Sequence, residues 1–150
     1  MKTARLVDSI EAVLRASLNT RIAVEALSTG KTIAPVAEFS QGFEDPMRLT
    51  KYNACLICPD QVRVERGAAL SRLSLDLVFA ISGRSKAVVM AAMQVYGDAV
   101  ANLVEADPTL GGAAFETRFE SAEYAGPTPG NGLIGVLIVR LNVDADDLLQ

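Results

Sequence analysis

The chain contains no histidine and no tryptophan, only two cysteines, and only 5% aromatic residues among its 150. Each shortage excludes something. Without histidine, the usual general base near neutral pH is missing. Cys55 and Cys58 have the spacing of a redox or zinc pair. Zinc would need two further ligands, and the chain offers neither a histidine nor a third cysteine. A redox pair sits at a helix N-terminus, whereas here Pro59 follows at once and the neighbours are strand-like. On a strand rising ~3.3 Å per residue the two Cα atoms lie ~10 Å apart, beyond the ~7 Å reach of a disulfide. The pair reads as small apolar residues in a reduced compartment.

Clusters of positive charge are lacking too. The 14 basic residues are scattered singly against 18 acidic ones, and the net charge is −4. Phosphate binding requires clustered Lys and Arg that displace counterions, so no specific nucleic-acid binding is expected. The longest uncharged stretch, ending at Val139, is broken by Pro127, Pro129 and glycines and falls short of the ~20 apolar residues of a membrane helix. Asp8, Glu11 and Arg15 interrupt any secretory core within residues 1–19. The expectation is a soluble protein made in the cytoplasm, with no membrane partner.

Half of the residues are apolar and 21% are charged, which argues against global disorder. The length suits one domain, residues 1–150, burying roughly 70% of its unfolded surface. Leu6, Val7, Ile10, Val13, Leu14 and Leu18 recur at helical spacing and predict an amphipathic helix over residues 3–18. Residues 28–51 have no clear pattern. Residues 53–58 form an apolar run that stops at Pro59, and alternation resumes through Val62 and Val64, which predicts two strands before a turn near Gly67. Leu73, Leu75, Leu77, Phe79 and Ile81 then share one face of a strand, with Arg72, Ser74 and Asp76 on the other. A helix follows over residues 86–106 and ends at Pro108.

Phe115, Thr117 and Phe119 alternate with Glu116, Arg118 and Glu120, so the next strand has one charged face. Residues 126–132, rich in glycine and proline, read as an exposed loop too long for a tight turn. Residues 133–139 are apolar except at Gly135, the mark of a central strand covered on both faces.

Three further patterns carry no chemistry. Gly30-Lys31-Thr32 resembles the end of a phosphate loop, but Glu25 stands where the first glycine belongs and Pro35 forbids the helix that should follow. Asp144, Asp146 and Asp147 read as a solvated tail, since no twelve-residue calcium loop fits before Gln150. Glu116 and Glu120 flank Arg118 and make a charge-balanced face instead of an acid–base pair. No catalytic, cofactor or metal residue is assigned, and an enzyme is not expected.

The succession of helix with Tyr96, then Asp107, Pro108, Thr109, Leu110, Gly111 and Gly112, then strand, resembles the tail terminator or tail-completion proteins of long-tailed bacteriophages. The likeness covers residues 52–143. It implies an α+β fold, with a mixed, mostly antiparallel sheet of four to six strands and two main helices packed on one face. It further implies a homo-oligomeric ring, commonly a hexamer, that caps the tail tube and offers the head-neck connector a docking surface. DNA passes through such a ring, which is assembled in the host cytoplasm and ends in the virion tail. Asp107, Pro108, Thr109, Leu110, Gly111 and Gly112 correspond to a structural turn. Candidate contact residues are Arg63, Glu65, Arg66 and Arg72 on one hairpin, Glu116, Arg118 and Glu120 on the charged strand, and Pro127 and Pro129 in the loop. A head-closure or neck protein, and a small ligand-binding or enzymatic α+β domain, are the alternatives.

Overall fold

Ile22 and Ala26 continue the apolar face set by Leu6, Ile10, Leu14 and Leu18, and all six are buried. The first helix, α1, accordingly runs over Lys2–Thr29 in the computed structural model, two turns and more beyond the predicted end at residue 18. It stops at Gly30, where the Lys31 N–H returns to the Ala26 carbonyl at 3.1 Å. The structure describes residues 2–64, 70–130 and 132–146.

The unpatterned segment contains a short strand, β1 (Glu38–Gln41), and one 3-10 turn (Pro46–Arg48) capped by the Asp45 carboxylate. Next comes β2 (Ala54–Val64), a single strand where two were expected. A bulge between Pro59 and Gln61 absorbs the proline without ending the ladder. Past Ile57 this strand has no neighbour on its β1 side among the described residues, so the missing proline N–H costs nothing there.

β3 (Leu70–Gly83) buries Leu73, Leu75, Leu77, Phe79 and Ile81, as the alternation requires, each contributing roughly 1.5–3 kcal/mol. Ser85 caps α2 (Lys86–Ala106) by accepting from the Val88 N–H. By length and composition α2 could cross a membrane, but Val89, Met93, Tyr96, Val100 and Leu103 are packed into the core. β4 (Glu116–Gly130) and β5 (Gly132–Asp146) close the fold. The five strands form one mixed sheet in the order β1-β2-β3-β5-β4, in which β1·β2 is parallel and the other pairs are antiparallel. Both helices share one core cluster with the inward residues of β3 and β5, and the architecture is α+β.

Two expectations about the last strands fail. Residues 126–132 are not a loop: Thr128 pairs with Ile134, Pro129 with Leu133 and Gly130 with Gly132, so the β4·β5 ladder continues through Gly130 and Gly132. Asn131 lies outside the described residues. The prolines are tolerated because β4 is the outermost strand and a register shift between Ala125 and Thr128 accommodates them. Gly126 sits in that shift at φ +89°, where a Cβ would stand 2.9 Å from the Ile134 carbonyl oxygen. Nor is β5 covered on both faces beyond its start, where Ile134 is buried on the side away from the helices. Leu137, Val139, Leu141 and Val143 are buried on one side, while Val136, Ile138, Arg140 and Asn142 on the other stay half-buried.

Candidate interaction surface

The face of the sheet opposite the helices is covered at one end, where Leu49 and Tyr52 pack on Ala54 and Ala80, and over the rest it carries a charge ladder built by register. On β3 the outward residues read Arg72, Ser74, Asp76, and on β5 they read Arg140, Asn142, Asp144. Because the strands are antiparallel, Arg72 stands opposite Asp144, Ser74 opposite Asn142 and Asp76 opposite Arg140. Arg140 Nε and Nη2 donate to the two Asp76 oxygens at 2.9 and 3.0 Å, and Nη2 also reaches Asp60 at 3.1 Å. Hydrogen bonding with Asp76, followed by its charge, pushes the Arg140 guanidinium still further above its ordinary range. Arg72 Nε donates to Asp144 Oδ1 at 2.8 Å, Arg118 Nη2 donates to Asp144 Oδ2 at 3.1 Å, and Arg118 Nη1 donates to Glu116 at 3.2 Å. The bond from Arg72 holds the Asp144 carboxyl below its usual value, with burial opposing and the Arg72 and Arg118 charges assisting. Asp144 is thus a sheet residue with two cationic partners and no part of a solvated tail; Asp147 lies outside the described residues.

The predicted contact residues separate into three groups. Arg72, Glu116 and Arg118 are engaged in the ladder, so the two elements predicted as separate patches belong to one. Arg63, opposite Arg72 on β2, is exposed and has no ion pair among the described residues. Glu120 accepts from Asn142 at 3.0 Å and feels the Arg140 charge without forming a salt bridge among the described residues. Pro127 and Pro129 lie at the far end of β4, and Glu65 and Arg66 lie outside the described residues. Asp60, Arg140 and Asn142 were not singled out from the sequence, and Asp76 and Asp144 were read apart, as an outward strand residue and as part of a tail, because only the register of the sheet shows that they meet.

The turn residues act locally. Asp107 donates its N–H to Leu103 at the end of α2, and its carboxylate accepts the Gly111 N–H at 2.9 Å and the Thr109 hydroxyl at 3.3 Å. Pro108 occupies this turn, and Leu110 is buried beyond it. Below the turn an open cavity of about 570 Å³ is lined by Arg5, Leu6, Ser9, Ala113, Phe115 and Asp146. Phe115 is 59% exposed there, and with Arg5, Ser9 and Asp146 beside it the cavity is an open recess of mixed polarity. Cys55 and Cys58 are free thiols on opposite faces of β2, Cys58 donating to the Gly42 carbonyl at 3.1 Å. Burial, and then the Asp76 charge, pushes the Cys58 thiol up to about 11, and burial raises Cys55 further still. Among the described residues no group of three or more acidic or cysteine side chains is placed to hold a metal.

Comparison with protein-family models finds no match, and comparison with curated proteins finds none.

Proposed function

We propose that the chain is a non-enzymatic virion assembly protein, a tail terminator that forms a ring, six copies being the expected number, on the tail tube of a long-tailed bacteriophage. It acts by shape and self-association, and it presents the head-neck connector with a docking surface while DNA passes through the ring. The reading is carried by one observation: a two-helix layer covers one side of a five-strand sheet whose other side is covered only at one end, by Leu49 and Tyr52 over Ala54 and Ala80, and elsewhere carries an ordered charge ladder. A charged sheet face suits protein–protein contact, because electrostatic complementarity across an interface supplies specificity more than affinity. The Asp107-capped passage from α2 into β4 supports it further, being the element on which the family resemblance rests. The recess beside α1, with an exposed Phe115, lacks the convergent buried polar groups of a ligand site.

The test is complementation. A phage lacking this gene should make tails of irregular length that fail to join heads, and the wild-type chain should restore uniform, joined tails in electron micrographs. Uniform tails in the absence of the gene, with only the joining lost, would turn the reading to a head-closure protein. Normal virions without it would end the assembly reading.

A further inference from the structure

The charges at the centre of the open sheet face satisfy one another, and those at its two margins do not. Arg72, Asp144, Arg118 and Glu116 form one paired set, and Arg140, Asp76 and Asp60 form another. On the β2 margin, Arg63 stands directly across from Arg72, a like charge already held by Asp144, and it meets no carboxylate among the described residues. On the β4 margin, Glu120 and Glu123 are both exposed; Glu120 bonds the Asn142 amide and shares the charge of Arg140, which is already bonded to Asp76 and Asp60, and Glu123 has no partner among the described residues. Among the described residues, one face of one sheet therefore ends in a cation without an ion pair on one side and in carboxylates without a salt bridge of their own on the other.

The backbone at the same margins is also open. β1 covers only positions 54–57 of β2, which leaves residues 58–64 without a neighbouring strand among those described. β4 is the last strand of the sheet, and Pro127 and Pro129 remove donors from its far end, so residues 116–125 are its pairable part. Three antiparallel steps separate β2 from β4, which makes the two antiparallel to each other. Copies related by rotation about an axis along the strands bring these edges together in the orientation that antiparallel pairing requires.

We infer that the chain assembles head to tail, residues 58–64 of one copy docking along residues 116–125 of the next, with Arg63 of the first set against Glu120 and Glu123 of the second. This rests on the ring reading and names its contact. The two edges differ, so the contact is heterologous and can close a ring, whereas a two-fold contact would stop at a dimer.

Sedimentation velocity and native mass spectrometry of the full chain test it. Arg63→Glu, and separately Glu120→Lys with Glu123→Lys, should each weaken assembly roughly tenfold or more, and the three changes together should restore it. These side chains are exposed, and circular dichroism melts should match the wild type. With Arg63 set between Glu120 and Glu123, residue 61 stands opposite residue 123, so Gln61→Cys with Glu123→Cys should give, on oxidation, a ladder of disulfide-linked multimers. Rings of wild-type mass in both reversed variants, without a ladder, would overturn the edge contact and leave the ring reading standing. A wild-type chain that stays monomeric at every concentration would overturn both. Edge-linked multimers from a chain that fails to rescue the phage would uphold the contact and strike only the terminator reading.

Discussion

The Asn53 amide donates to the Tyr96 hydroxyl at 2.9 Å, joining the start of β2 to the middle of α2 inside the core. The same hydroxyl donates to the Ala34 carbonyl at 2.7 Å, and the Asn53 side-chain oxygen accepts the Ser82 N–H at 3.0 Å. Two side chains thereby satisfy backbone groups on two further segments, and the Tyr96 ring meets Phe79 edge-on at 5.5 Å. Burial, partly offset by the bond to Asn53, pushes the phenol up to about 12, so it remains a donor at all ordinary pH. Tyr96→Phe leaves the Asn53 amide and the Ala34 carbonyl short of a partner. The expected loss is about 1–3 kcal/mol, read as a lower urea midpoint at unchanged slope.

Acid should act through Asp144. Its folded pKa is depressed, so its contribution to stability is complete above the unfolded value of ~3.9 and disappears as pH falls through the lower folded value. Urea midpoints of wild type and Asp144→Asn should differ near neutrality, by about 1 kcal/mol for a half-exposed network, and converge in that acidic window. Parallel curves down to the lowest pH would show that the Arg72 and Arg118 bonds contribute no linkage.

How much of this was legible in the chain depended on whether a signal was local. The five inward residues of β3 announced themselves by alternation, and the end of α2 by the stop at Pro108. The second half of α1 was missed because polar Asn19 and Thr20 interrupt the pattern; Asn19 is in fact engaged with Val36 through both ends of its amide. Prolines masked the end of β4, since a sheet tolerates proline in an outermost strand and not in a central one, and only the complete strand order tells the two apart. The charge ladder joins residues 64 to 72 positions apart in sequence, so no window along the chain contains it.

Neither thiol should react quickly in the folded protein. With both pKa values raised by burial, the thiolate population near pH 7–8 is negligible. A disulfide-exchange reagent should titrate both cysteines in guanidinium and neither, on the same timescale, under native conditions. Fast labelling of Cys58 in the native chain would mean that the Gly42 contact opens readily.

The turn after α2 should be scaffold. Gly111 and Gly112 have φ of +71° and +89°, a region that costs other residues roughly 1–2 kcal/mol each. A Gly111→Val, Gly112→Val variant should therefore melt clearly lower. An equally stable variant that had lost only assembly would make this turn a contact site.

The tightest fit between helix and sheet lies at Gly135. A Cβ built there would stand 2.6 Å from Val89 Cγ1 and 2.8 Å from Met93 Sδ, so α2 approaches β5 as closely as it does because this position carries no side chain. The φ of Gly135 is not positive, and the requirement is one of space alone. Gly135→Ala should force α2 outward or Val89 and Met93 into poor rotamers, at a cost of about 1–3 kcal/mol. Overpacking predicts a rescue that backbone strain does not: Val89→Ala destabilises on its own by opening a cavity, yet combined with Gly135→Ala it should recover part of the loss, because the new methyl fills vacated room. A double-mutant cycle from chemical denaturation gives the sign. Strictly additive losses would place the role of Gly135 in the backbone and not in the contact with α2.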